Sequence, residues 1–246
     1  MQRDFAHLSY MRADILAFAA HPDDVELAAC GTLMKHIDMG KTTGIVDLTK
    51  GQLGSRGTPE LRLEESKRAT EILGVHFREN LGMEDGWFGI DKAHILPVAN
   101  MIRKYRPQIV LANARRDRHP DHGRASKLVC ESAFYSGLKM VETGEEGFEP
   151  WRPRVVLNYI QDRALDPDLV VDISDYMDRK MAAIQAFKSQ FFNPDSEEPQ
   201  TPISTKEFLD VIIGRAREMG RLIGAEFGEG FIKERAVGID DLTSLK

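Results

Sequence analysis

Two short apolar runs end in the same kind of cluster, and this limits the folds open to the chain. Ile15-Leu16-Ala17-Phe18-Ala19 runs straight into Ala20-His21-Pro22-Asp23-Asp24-Val25-Glu26. Gln108-Ile109-Val110-Leu111-Ala112 is followed, after a short polar loop, by His119-Pro120-Asp121-His122. A buried strand does not carry a histidine and several carboxylates in its interior, because desolvating them there is too unfavourable. At its carboxyl end it does, since the ligand crevice of an open α/β sheet lies there. One such cluster alone is explained as well by a turn with an Asp cap as by a metal site. Two of them, each built from His, Pro and Asp behind an apolar strand, are hard to explain as turn chemistry.

The rest of the chain alternates in the same way. Strands are expected at 14–20, 43–48, 75–79, 108–112, 155–160 and 169–173, with a closing strand or hairpin within 226–236. Helices are expected at 25–39, capped by Asp23 or Asp24, and at 59–73, with Thr58 as N-cap, Pro59 at N1 and Gly74 as stop. Further helices are expected at 92–105, 123–137, 174–189 (capped by Ser174) and 204–224, where Ser204 and Glu207 form a capping box. Residues 1–13 read as a loose lead-in, 141–150 as an exposed loop and 191–202 as a lid. The pattern predicts an α/β fold: a Rossmann-like, mostly parallel sheet with helices on both faces, in one domain spanning 1–246.

Composition narrows the partners. The chain has 246 residues, 42% hydrophobic and 29% charged, with a net charge of −6. Nucleic acid is therefore not an expected partner. No apolar run is long enough to span a bilayer. The first twelve residues lack an apolar h-region, and Cys30 and Cys130 read as small packed residues rather than a disulfide. A cytoplasmic protein is expected.

His21, Asp24 and His122 make a two-histidine, one-carboxylate set, which leaves room for water on a Zn²⁺ ion and also suits Fe²⁺. Asp23, beside Asp24, is free to take a proton. His119, three residues before His122, can reach across the site, and Asp121 can hold an imidazole in one tautomer.

These motifs resemble those of the LmbE/PIG-L zinc deacetylases. Gly51-Gln52-Leu53-Gly54-Ser55-Arg56-Gly57-Thr58, Asp117-Arg118-His119-Pro120-Asp121-His122, Phe187-Lys188-Ser189-Gln190-Phe191 and Gly228-Glu229-Gly230-Phe231 resemble the branch that makes bacillithiol by deacetylating N-acetylglucosaminyl malate. The resemblance covers nearly the whole chain. It implies His21, Asp24 and His122 as metal ligands and Asp23 as general base on the attacking water. It implies His119 as the protonated partner of the oxyanion or leaving amine, with Asp121 as its orienting carboxylate. It also implies a homo-oligomer, trimer or hexamer. Gln52 departs from the pattern, where Glu is expected.

Arg56, in the glycine-rich loop, is the preferred contact for the carboxylates of a malyl substrate, and Arg118 is a second candidate. Glu26 reads as support at the helix start. His7, His36, His76 and His94 read as ordinary surface or core histidines. Met83, Asp85 and Trp87 are candidates for the site mouth, as is Tyr159 for the pocket. Two other functions compete: a different metal-dependent hydrolase, such as an amidase or phosphoesterase, and a non-catalytic sugar-binding module.

Overall fold

The computed structural model describes residues 11–144 and 147–245. Residues 1–10 of the expected lead-in and residues 145 and 146 of the expected 141–150 loop lie outside these. Seven strands, β1 (Ile15–Ala19), β2 (Thr43–Thr49), β3 (Phe77–Met83), β4 (Ile109–Ala112), β5 (Val155–Tyr159), β6 (Leu169–Asp172) and β7 (Gly228–Lys233), form one sheet in the order β3-β2-β1-β4-β5-β7-β6. Neighbours from β3 to β5 pair in parallel, and β7 runs antiparallel to both β5 and β6. The mostly parallel α/β expectation is met.

Alternation along β1 builds both faces of the sheet. Leu16 and Phe18 pack with Ile95, Val98 and Ile102 of α4 (Lys92–Tyr105) and with Leu128 and Val129 of α5 (Pro120–Tyr135). Ile15, Ala17 and Ala19 face the other way, onto Val25 of α1 (Asp24–Ala28) and Leu33 and Met34 of α2 (Cys30–Asp38). All five β1 residues are buried, as expected for a central parallel strand covered on both sides. Beside this core, α6 (Met177–Gln185) and α7 (Lys206–Leu222) share a third cluster that includes Phe187 and Phe191.

Several boundaries depart from those that sequence spacing predicts. The expected helix 25–39 breaks at Ala29, with φ −142°. The break frees the N–H groups of Gly31 and Thr32, which donate to the two oxygens of the Glu229 carboxylate at 3.0 and 2.7 Å. Glu229 also pairs with Lys180 at 2.6 Å, so a buried charge on β7 stands at the start of α2. Helix α3 (Pro59–Leu73) begins and ends as expected: Thr58 accepts from Leu61 N, and Gly74 adopts φ 73°. Helix α5 starts at Pro120 rather than 123, because the His119 side chain caps it. Helix α7 is capped by Thr205 rather than Ser204, so Glu207 is not at the expected capping-box position. Ser174 opens a short 3₁₀ turn, not α6, and helix ends at Gln185 because the Ser189 N–H and hydroxyl both go to Glu65.

Candidate active site

The direction of chain winding reverses between β1 and β4. From β1 the chain passes outward to β2 and β3, and on the other side β4 leads to β5. The two His/Pro/Asp clusters leave the carboxyl ends of these adjacent strands, which is where crevices form in such sheets. The fold thus brings His21, Asp23, Asp24, His119, Asp121 and His122 to one place, nearly 100 residues apart in sequence. All of these but Asp121, which is fully buried behind His21, border a cavity of about 300 Å³, also lined by Arg56, Arg118 and Gln161.

Asp24 is the hub. Its Oδ1 lies 3.1 Å from His122 Nε2, and its Oδ2 accepts from the His21 backbone N–H at 2.9 Å and lies 3.7 Å from His21 Nδ1. Asn113 and Gln161 each donate to it, at 2.9 and 3.0 Å. Burial alone would push this carboxyl up, but His122 and His21 hold it well below the usual carboxylate range. Beyond this hub, carboxylates support the histidines. His122 Nδ1 meets Asp117 at 2.5 Å, and His21 Nε2 meets Asp85 at 2.9 Å and Asp121 at 3.4 Å. Burial would lower both imidazoles. Instead Asp121, Asp85 and Asp24 lift His21 to about 9, and Asp24 and Asp117 lift His122 to about 10.

This donor set fits a divalent cation. Nitrogens of His21, His119 and His122 fall within 4.8 Å of one another, as do the ligand atoms of His21, Asp85 and Asp121. Two imidazoles that hold protons among carboxylates can exchange that positive charge for a metal's, and nitrogen–oxygen donors suit Zn²⁺ or Fe²⁺.

Asp23 occupies the N-cap position of α1 but caps nothing. Its backbone sits at φ 121°, in the region that favours glycine, and its carboxylate takes the Arg62 guanidinium at 2.6 Å. Such a strained residue persists only when its surroundings hold it. Arg62 supplies that hold, since its Nε also donates to Pro22 O at 3.1 Å. Gly51 makes room: a Cβ there would fall 2.6 Å from Arg62 Nη1. Burial raises Asp23 to about 6 against the pull of Arg62.

His119 and Asp121 correct one expectation. The Asp121 carboxylate does not orient His119. It accepts from Gly86 N at 2.9 Å and from Arg124 at 2.5 Å, and it faces His21. The backbone N–H of Asp121 donates to His119 Nδ1 at 3.3 Å instead, which leaves Nε2 as the protonated nitrogen when the ring is neutral. The cause is position: Asp121 is in the first turn of a helix that His119 caps, so its side chain points away from the cap. Burial and the neighbouring histidine charges lower the His119 pKa.

Arg56, expected as a substrate contact, is buried, lines the cavity and is engaged within the chain. Its Nε donates to Ser189 O at 2.7 Å, Nη2 to Ser196 Oγ at 2.8 Å and Nη1 to Pro199 O at 3.4 Å. It fastens the 191–202 segment, part of whose neighbourhood (Thr201, Pro202, Ile203) walls the cavity. Arg118 sits at the rim, half-exposed, with Nε on Asp162 at 3.0 Å. Gln52 braces the loop to Met83 O at 3.1 Å. Tyr159 is fully buried and donates to Phe18 O, away from the pocket. Arg62, Asn113, Asp117 and Gln161 went unassigned in the sequence. Asp117 alone had a signal there, being five residues before His122 in the same polar loop.

The fold and the sequence both match a known family of α/β proteins. Residues 16–133 match the PIG-L family, described as GlcNAc-PI de-N-acetylase. A diacetylchitobiose deacetylase from Thermococcus kodakarensis is 32% identical over 189 residues, 72% of this chain and 70% of that one. A probable N-acetyl-alpha-D-glucosaminyl L-malate deacetylase 2 from Bacillus cereus is 26% identical, covering 73% of this chain and 84% of the relative. A 4-oxalmesaconate hydratase from Pseudomonas putida is also 26% identical, covering 71% and 73%. Among solved structures, the conserved protein TT1542 from Thermus thermophilus superposes with a TM-score of 0.82 at 34% identity, over 93% of this chain and 98% of that one. The chain belongs to the PIG-L/LmbE family.

Proposed function

We propose that this protein is a metal-dependent hydrolase that removes the N-acetyl group from an N-acetylglucosamine conjugate, with N-acetylglucosaminyl malate as the specific substrate. The observation that carries the reading is the juxtaposition at one cavity of His21, Asp24 and His122 with Asp23 and His119. The diacetylchitobiose and glucosaminyl malate relatives support the N-acetyl sugar class.

In this reading His21, Asp24 and His122 would hold Zn²⁺ or Fe²⁺, which would supply Lewis acidity toward the acetyl carbonyl and the attacking water. Asp23, poised near neutrality by burial and Arg62, accepts the proton of the attacking water. His119, held by the Asp121 N–H on Nδ1, presents Nε2–H to the developing oxyanion, and the proton that Asp23 has taken from water passes to the nitrogen of the breaking C–N bond, which leaves as the free amine beside acetate. Asp85, Asp117 and Asp121 keep the imidazoles oriented. Arg118 contacts the substrate at the rim.

No helix among the described residues is long and apolar enough to cross a membrane. Both cysteines are free thiols, which supports a cytoplasmic setting. Phe134, Tyr135 and Met140 expose apolar surface at the end of α5, which supports a homo-oligomer.

The test is acetate release by metal-loaded protein from N-acetylglucosaminyl malate, diacetylchitobiose and plain N-acetylglucosamine. Release from the malate conjugate supports the full reading. Release from the disaccharide alone moves the substrate and keeps the chemistry. Release from none, with hydration of an unsaturated dicarboxylate instead, replaces the reading by that of the hydratase relative.

A further inference from the structure

The stretch Phe187-Lys188-Ser189-Gln190-Phe191 takes no part in the proposed chemistry, yet it puts a buried amide into the cavity wall. Gln190 is 6% exposed. Its Nε2 donates to the Arg56 carbonyl at 3.0 Å and to Ser189 Oγ at 2.8 Å, so both amide hydrogens are used. Among the described residues, no protein group donates to its Oε1.

The orientation of this amide is fixed from behind. Ser189 Oγ donates its one hydrogen to Glu65 Oε2 at 2.6 Å, and Ser189 N donates to Glu65 Oε1 at 2.8 Å. The hydroxyl can therefore meet Gln190 only as an acceptor, and so can the Arg56 carbonyl. A flipped amide would set Oε1 against two acceptor oxygens. Oε1 is unpartnered without being sealed off: the buried orphan polar atoms include Thr201 Oγ1 but not Gln190 Oε1. The space it opens to is the cavity, where Leu27, Pro202, Ile203 and Phe208 offer no donor. A desolvated acceptor is costly to leave unpaired, so a bound molecule has to supply an N–H or O–H.

Placement says which one. Arg62 and Glu65 stand three residues apart on α3, and so share a face. Arg62 holds Asp23 and Glu65 holds Ser189, which sets the proposed base and Gln190 along one wall. No hydrogen bond joins Gln190 to His21, Asp24, His119 or His122, the groups around the reacting amide. Gln190 therefore faces the sugar ring, whose donors are its hydroxyls.

We infer that Gln190 Oε1, locked by Ser189 and Glu65, accepts a hydrogen bond from a ring hydroxyl of the bound sugar and determines which hydroxyl pattern the site takes. This rests on the proposed deacetylase reading and assigns a residue that reads the ring rather than the acyl group or the conjugate.

The probes are methyl N-acetylglucosaminide and its 3-, 4- and 6-deoxy and deoxyfluoro analogues, offered to the metal-loaded protein. At one position the deoxy and the fluoro analogue should both lose roughly 5–150-fold in kcat/KM, because neither can donate and Oε1 is left unpaired. A fluoro analogue that restores activity at every sensitive position would mean that the sugar only accepts there, and would overturn the inference. In Gln190→Met the ratio of parent to deoxy analogue at that position should fall toward one, while the ratios at the other positions hold. A general loss of activity in the variant cancels in these ratios. Equal kcat/KM for all analogues in the wild type overturns the acceptor role and leaves the deacetylase standing. An unchanged set of ratios in Gln190→Met overturns the assignment to this residue. No acetate from the parent or any analogue overturns both readings together.

Discussion

The Arg62 guanidinium on α3 grips the Asp23 carboxylate at 2.6 Å across 39 residues of chain, and both groups are buried. The same arginine takes the carbonyl of Pro22, so it fixes the peptide as well as the side chain. An aspartate at φ 121° has an unfavourable backbone, of order 1–3 kcal/mol, that the fold must offset. The bond to Arg62 is the visible offset, and it also sets the acidity of the proposed base.

Replacing Arg62 by Met should therefore act twice. A buried carboxylate without its partner is destabilising by roughly 3–5 kcal/mol, readable as a lower midpoint in denaturant. Arg62 pulls the Asp23 pKa down from where burial would put it, so without Arg62 it rises further above about 6. The acid limb of kcat/KM should then move to higher pH. A destabilised variant with an unmoved acid limb would separate Arg62 from the base.

Asp23→Asn keeps an acceptor for Arg62 and removes the base. Activity should fall about 10²–10⁴-fold while bound metal, measured by elemental analysis, stays at the wild-type level. Loss of metal with little further loss of activity would exchange the roles of Asp23 and Asp24.

Metal uptake should release protons. His21 is raised to about 9 and His122 to about 10, above the ordinary imidazole value of 6.5, so both are protonated at neutral pH before a cation displaces them. Affinity should rise steadily from pH 6 toward 9, with proton release visible by titration calorimetry in buffers of different ionisation enthalpy. Affinity independent of pH over that range would remove His21 and His122 from the ligand set.

Glu229→Ala should be severely destabilising without touching the chemistry. It strands Lys180, which is 2% exposed, and leaves the Gly31 and Thr32 N–H groups without their acceptor. Removing one side of a buried pair costs roughly 3–5 kcal/mol. A melting temperature close to wild type would show that water replaces the carboxylate at the α2 start.

Much of this was legible in local sequence. The apolar runs of β1 and β4, the His/Pro/Asp clusters behind them and the Thr58-Pro59…Gly74 frame of α3 are signals carried within a few residues, because periodicity, caps and turns are local physics. The break at Ala29 was not legible: it is explained by Glu229, some 200 residues away. Helix propensity over 25–39 gives no warning of a distant carboxylate that accepts two of its N–H groups.

The sequence by itself determined the kind of fold and the group of residues gathered at the strand ends, since burial excludes charged clusters from anywhere else on β1 and β4. Only the tertiary structure decided how those residues are divided. It gave Asp23 to Arg62, Asp121 to His21 and Gly86, Asp117 to His122, Arg56 to the 191–202 segment, and Arg118 and Arg215 to Asp162. The reason is physical. A carboxylate or guanidinium has several possible partners of equal chemical merit, and which one it meets is fixed by the packing of elements distant in the chain.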